Sequence, residues 1–272
     1  MHSAQRQNRR RSGLFLALLF AIFARSGAAQ SQVPDQPEAN PGRPTVSTPA
    51  TLTPVGYLQF ESGFVAAGHS PEFSSLYSFT EVMKLSVARR LELLTVAEPI
   101  AHFTTDEIPG NRVADVFVGA QGVLYEGEAA KPTLAVSYFH RLYDGGAADF
   151  DFGSPLNSFL ILASADVKGF HYDANAFFTD LEEGPVRRAQ FGQSLTISHA
   201  FLHRFTLSGE IWHFTQPFVR ANAAGNLWAV SYAARRTLVF DVGFNHGLTG
   251  SSTQWEAFAG FTYLLPHRLW SR

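Results

Sequence analysis

The stretch Thr237-Leu238-Val239-Phe240-Asp241-Val242-Gly243-Phe244-Asn245 decides the fold. Leu238, Phe240, Val242 and Phe244 share one parity, and Asp241, Gly243 and Asn245 share the other. Successive side chains of a strand point to opposite faces, so this segment has one apolar face and one polar face. The period returns at 170–178, where Phe170, Tyr172, Ala174, Ala176 and Phe178 alternate with His171, Asp173 and Asn175. It returns again at 255–263, where Trp255, Ala257, Ala259, Phe261 and Tyr263 are set against Glu256, Gly260 and Thr262.

Working outward, the same rhythm runs from Val55 to Leu265. Strands are expected near 55–66, 75–87, 91–103, 113–125, 132–143, 156–167, 170–179, 190–201, 205–215, 227–234, 237–246 and 255–265. Short connections such as Ala88-Arg89-Arg90, Lys168-Gly169 and Arg235-Arg236 alternate with longer ones such as Asp144–Ser154, Asp180–Arg188 and Pro217–Asn226. A soluble sandwich also has regular short strands, but nothing in it forces every second connection to be long. An outer-membrane barrel has that asymmetry, with short periplasmic turns and long external loops. The fold class is therefore all-β: a transmembrane antiparallel up-and-down β-barrel of about 12 strands.

The flanks follow from composition. Arg9, Arg10 and Arg11, the apolar run Leu14–Ala24 and the small residues Gly27-Ala28-Ala29 read as a signal peptide over 1–29. The alternative, a retained membrane anchor, would need about 20 apolar residues. Residues 30–54 hold six prolines and little that is apolar, which predicts an extended or disordered periplasmic lead-in. The barrel occupies 55–265, with a tail at 266–272. The 272 residues include 25 Phe and no Cys, and the net charge is −2. No disulfide, thiolate nucleophile or Cys-ligated metal is available, and nothing is basic enough to suggest nucleic acid.

Parity nominates the lumen. Glu61, Glu92, Glu98, Asp115, Asp166, Asp173, Glu210, Asp241 and Glu256 fall on the inward face, with Gln121, Lys84 and Arg141. Such a lining favours cations or neutral solutes, unless the carboxylates hydrogen-bond across the lumen and only hold its shape. Bulky inward residues, Phe117, Phe139, Phe177 and Trp212, favour a narrow or plugged bore. Glu81 shares the outward parity of Tyr77, Phe79, Met83 and Leu85, which calls for a register-shifting bulge or a longer strand.

A barrel enzyme acting on lipids would need a Ser nucleophile beside a His base. No His is followed two positions later by Ser; His213-Phe214-Thr215 comes nearest, on the outward parity. Gly68-His69-Ser70-Pro71-Glu72 lacks the second glycine of a nucleophile elbow. His199 and His203 straddle an expected turn, and Asp149-Phe150-Asp151 lies in a loop. No catalytic residue, metal or cofactor is expected.

The runs Arg43-Pro44-Thr45-Val46-Ser47-Thr48-Pro49, Val55-Gly56-Tyr57-Leu58-Gln59-Phe60-Glu61-Ser62-Gly63-Phe64 and Arg89-Arg90-Leu91-Glu92-Leu93 carry a resemblance to the outer-membrane transporters associated with the meta-cleavage pathway of phenol degradation. The resemblance extends to Val113-Ala114-Asp115-Val116-Phe117-Val118-Gly119-Ala120-Gln121, where the family commonly has Gly at the position of Ala114. It implies a small outer-membrane barrel that passes small aromatic or otherwise hydrophobic molecules. Three functions are carried forward: a passive channel for small organic solutes through a narrow acidic lumen, a barrel enzyme acting on lipids, and a structural barrel with a plugged lumen. The expected partners are outer-membrane lipid, the solute and the barrel-assembly machinery. Here Pro266–Arg272 follows the last strand, so Trp270 is the candidate terminal aromatic for that machinery.

Overall fold

The computed structural model describes residues 37–105, 108–146 and 155–270. The expected signal peptide and the Asp149-Phe150-Asp151 segment lie outside the described residues.

Thirteen strands run in chain order: β1 (Leu58–Gly68), β2 (Ser75–Ala88), β3 (Leu91–Thr105), β4 (Ile108–Arg112), β5 (Val116–Tyr125), β6 (Thr133–Tyr143), β7 (Pro155–Val167), β8 (Phe170–Glu183), β9 (Val186–Phe201), β10 (Phe205–Gln216), β11 (Ala221–Arg235), β12 (Leu238–Gly247) and β13 (Trp255–Leu264). β4 and β5 occupy one place in the wall. Ala101 faces Arg112 and Ala97 faces Val116, so the register against β3 does not change across the interruption at 113–115. The wall is thus the expected twelve-strand barrel. Each strand pairs antiparallel with its sequence neighbour, β1 also pairs with β13, and the ring closes. Closure leaves the ladder without an edge, the condition for a sheet surrounded by hydrocarbon.

Burial runs opposite to that of a water-soluble protein. The inward residues Gln59, Glu61, Glu92, Thr196 and Thr262 are nearly inaccessible, whereas Phe64, Ile211 and Val242 on the outer wall are at least half exposed. Leaving such side chains in water forfeits about 1.5–3 kcal/mol each, so the wall requires lipid. The barrel is transmembrane.

Three details depart from expectation. The Asp180–Arg188 loop is instead a continuation of β8 and β9, which turn at Gly184-Pro185. Cross-strand pairing of Asp180 with Arg187 lets charged residues extend this hairpin. The two-residue turn at Gly184-Pro185 stands among the long loops, whereas the β5–β6 connection at the opposite end spans 126–132, so the short/long alternation is not strict. Glu81 keeps its outward parity: β1 and β2 pair without a shift, and the Ser62 hydroxyl donates to Glu81. The bulge falls on β3, where Glu98 and Pro99 together oppose Thr80. Proline's missing N–H is tolerated at such a position.

The end bearing the β2–β3, β7–β8, β9–β10 and β11–β12 turns is termed the turn end, and the opposite one the loop end. The tail folds back at the turn end, where the Leu269 N–H donates to the Gly56 carbonyl.

Candidate functional site: a threaded lumen and an aromatic chamber

Residues 37–54 lie inside the barrel. This corrects the expectation of a periplasmic lead-in, and the physical reason is visible in the contacts. The segment has almost no apolar surface to bury, but its backbone supplies donors and acceptors to the inward polar residues. Glu38 pairs with Arg236 at 3.1 Å, and the Ala39 N–H donates to the Arg236 carbonyl. Asn40 and Gln59 exchange two hydrogen bonds of 2.8 Å. The Gly42 N–H donates to Glu61, which also pairs with Lys84 at 2.6 Å.

Beyond these contacts the segment crosses the lumen and travels round the wall. The N–H groups of Val46 and Ser47 donate to the Glu210 carboxylate at 2.7 and 2.6 Å, and the Ser47 hydroxyl donates to it as well. Thr48 and Asn175 exchange backbone-to-amide hydrogen bonds. The Ala50 N–H donates to Ser164 Oγ, whose hydroxyl donates to Asp173. Gln121 donates to the carbonyl of Pro49, and the N–H and hydroxyl of Thr53 both donate to Glu92. The chain then leaves at the turn end and becomes β1.

Arg43 is the central fastening. Its guanidinium donates to both oxygens of Asp241, at 3.1 and 3.3 Å. It lies flat over Gly63 and Gly260, which face one another across β1 and β13. A Cβ at Gly63 would fall 2.3 Å from the guanidinium, and one at Gly260 would fall 2.7 Å from Nη2. Gly63→Val therefore breaks the pair without altering charge. Separating a buried ion pair costs about 3–5 kcal/mol. Hydrogen exchange at the Gly42 to Ser47 amides should accelerate by about a hundredfold or more in this variant.

The expected lumen residues thus divide by task. Glu61, Lys84, Glu92, Gln121, Asp173, Glu210 and Asp241 converge in the turn half and hold the threaded segment, directly or through one neighbour. They do not line an open acidic bore. Asp166 sits at the turn-end rim, largely exposed, 2.9 Å from His171; it is not a lumen residue. Arg141 gathers Asp115, Asp144 and Glu182 at the loop end, within 3.2–3.4 Å. Glu98 is half-buried below them beside the β3 bulge. Glu256 accepts from Asn245, which accepts in turn from the Trp212 indole.

Above Arg43 to Val46, in the loop half, lies a cavity of about 490 Å³. Phe117, Phe139, Phe177, Trp212, Phe214 and Phe258 supply its aromatic wall. Four of these rings lie across a glycine paired to them on the next strand: Phe139 on Gly119, Phe214 on Gly192, Trp212 on Gly225 and Phe258 on Gly243. The missing side chain lets each ring lie along the wall instead of crossing the lumen. Sequence reasoning missed Arg43, Phe214 and Phe258. The signal that could have found the two rings is an inward glycine opposite an inward aromatic in the adjacent strand.

The enzyme candidates do not assemble. His213 bonds to Asn222, His69 accepts from Trp255, and His199 contacts the Gly169 carbonyl. Among the described residues no three His, Asp or Glu side chains are placed to share a metal ion.

No protein-family model matches the chain, and no curated protein matches its sequence. Solved structures do match in three dimensions. An outer membrane channel from Pseudomonas putida F1 superposes with a TM-score of 0.58 at 12% identity, covering 86% of this chain and 100% of that one. The KdgM porin gives 0.54 at 11% identity, covering 75% and 98%. The NanC porin gives 0.53 at 10% identity, covering 76% and 100%. At these identities the likeness is one of architecture: the chain has the fold of outer-membrane channels.

Proposed function

We propose that the protein is an outer-membrane channel that passes small aromatic or otherwise hydrophobic organic molecules through its lumen. On this reading residues 1–29 direct export and are removed, and the barrel-assembly machinery inserts the chain with the turn end in the periplasm. The observation that carries the reading is the aromatic chamber of about 490 Å³. Its rings offer apolar and π-face contact, and the charged residues of its lining, Arg43 and Glu256, do not form a ring of the kind used to select ions. Below it the threaded segment closes the turn half, so a solute leaves only when residues 43–48 move aside. The resemblance to the phenol meta-pathway family points to the same solute class. It extends over Arg43–Pro49, the part of the segment that underlies the chamber.

Trp212 provides the test. It is one of four tryptophans, and Trp228 and Trp255 stand on the outward parity while Trp270 belongs to the tail. With those three changed to Phe, 4-bromophenol should quench Trp212 saturably, as binding in the chamber requires. Trp212 should also be shielded from iodide. Quenching that rises linearly without saturation would count against a chamber for such solutes and favour the plugged structural barrel.

A further inference from the structure

The connections at the turn end share a chemistry that channel function does not use. Arg89 and Arg90 form the β2–β3 turn, Lys131 belongs to the β5–β6 turn, and Lys168 to the β7–β8 turn. Arg204 lies in the β9–β10 turn, Arg235 and Arg236 mark the β11–β12 turn, and Arg268 lies in the tail. Every connection at this end therefore carries at least one permanent cation. The described carboxylates of this end, Glu38, Glu126, Glu128 and Asp166, are half as many as these eight cations: Glu126 pairs with Arg89 and Arg90, Glu38 with Arg236, and Asp166 lies against His171. Lys131, Lys168, Arg204 and Arg235 are exposed and make no ion pair with a described residue. The loop end carries Asp144, Glu182 and Glu183 together with Arg187, Arg188 and Arg220, without such an excess of cations.

Immediately beside this collar the outer wall turns aromatic. Phe170 contacts His199 at 4.7 Å between centroids, Phe201 contacts Phe205 at 5.8 Å, and Phe205 contacts Tyr232 at 4.9 Å. Phe170, Phe201, Phe205 and Tyr232 belong to outward positions of β8–β11, one to three residues from the cations of the turns. Amphipathic and aromatic rings of this kind mark the boundary between hydrocarbon and headgroups.

We propose that the turn-end collar binds the anionic headgroups of phospholipids in the adjoining leaflet, forming a selective lipid annulus around the barrel. Three features favour lipid over an acidic protein. The cations encircle the barrel, whereas a docked protein would select one side. Two- and three-residue turns hold Lys168, Arg204 and Arg235 one to three residues from rings of the aromatic belt. The rings beside them supply acyl-chain contact, which a soluble partner cannot use. Each cation near a membrane surface attracts anionic lipid, and salt screens the attraction.

The test compares spin-labelled phosphatidylglycerol with phosphatidylcholine in vesicles holding the purified protein, and reads the motionally restricted fraction. The phosphatidylglycerol label should be enriched about 2- to 5-fold at low salt. Enrichment should fall towards parity in about 0.5 M NaCl. It should also fall when Lys131, Lys168, Arg204 and Arg235 are all changed to Gln, with the β-sheet spectrum retained. Should that variant not fold, the salt response of the unaltered protein still decides. Equal restriction of both labels at low salt, or a preference untouched by both salt and the substitutions, overturns the proposal. Capture of poly-glutamate without lipid preference would replace it with an acidic protein partner.

Discussion

Deletion of residues 37–53 should convert a nearly silent barrel into a steady, cation-selective pore. The wall does not depend on the segment, because its ladder closes through β1–β13 and β2–β3. What the deletion removes is the partner set of the inward acids. Glu61, Glu92, Glu210 and Asp241 then face water, with Lys84 alone opposing them in the turn half. The positive charge of Arg43 leaves with the segment. A narrow passage lined by an excess of carboxylates admits cations ahead of anions. Planar-bilayer recording under a salt gradient should therefore show stable steps with a reversal potential of cationic sign, several-fold selective for K⁺ over Cl⁻. The parent protein should show only brief openings. A deletion that folds and stays silent would mean that the chamber rings, and not the segment, close the lumen.

This outcome reconciles the two readings that parity left open for the acidic lining. Glu61, Glu92, Glu210 and Asp241 are buried, and they are engaged with the threaded segment, not with one another. The sequence carried a hint: nine inward acids stood against Lys84 and Arg141, an imbalance that a closed lumen tolerates only with further donors. Those donors come from the backbone N–H groups and Arg43 of a segment whose composition resembles that of disordered chains. Composition reports how much apolar surface a segment can bury. It is blind to a cage of polar groups that satisfies the backbone one residue at a time. Proline also lowers the conformational freedom lost when the segment is threaded.

The wall was legible for the opposite reason. Lipid on one side and a polar interior on the other impose a strict period of two, and Phe240, Val242 and Phe244 could not satisfy both solvents in any other arrangement. The hairpin of β8 and β9 was misread because Asp180, Glu182, Glu183, Arg187 and Arg188 resemble a loop by charge. Above the membrane, however, both faces of a strand meet water, and the alternation that marks a strand is lost. The aromatic chamber was only half visible. Phe117, Phe139, Phe177 and Trp212 suggested obstruction, because a ring on an inward position normally crosses the bore. Paired glycines turn Phe139 and Trp212 against the wall, as they do Phe214 and Phe258, and leave a cavity between the rings.

Glu210→Ala should free the segment almost as effectively as the deletion, while keeping every segment residue in place. Glu210 is buried and receives the N–H groups of Val46 and Ser47 together with the Ser47 hydroxyl. The hydroxyl retains Ser194 as a neighbour at 2.8 Å, whereas Glu210 is the acceptor of both backbone donors. Stranding each buried donor costs about 1–3 kcal/mol, so the seated state weakens by about 2–6 kcal/mol in total. Alanine also removes volume directly beneath the chamber. The absence of native cysteine makes the readout clean: Thr48→Cys places a thiol where only the backbone of the original residue bonds to the wall, through Asn175. Maleimide should label this thiol slowly in the parent background and at least about thirtyfold faster with Glu210→Ala. Glu210→Gln, which keeps one acceptor oxygen, should fall between the two. Arg187→Ala, out on the β8–β9 hairpin, should leave the rate unchanged. If Glu210→Ala labels no faster than the parent, the carboxylate is a passenger, and Arg43 on its glycine slot carries the hold with the remaining contacts to Glu61, Asn175 and Glu92.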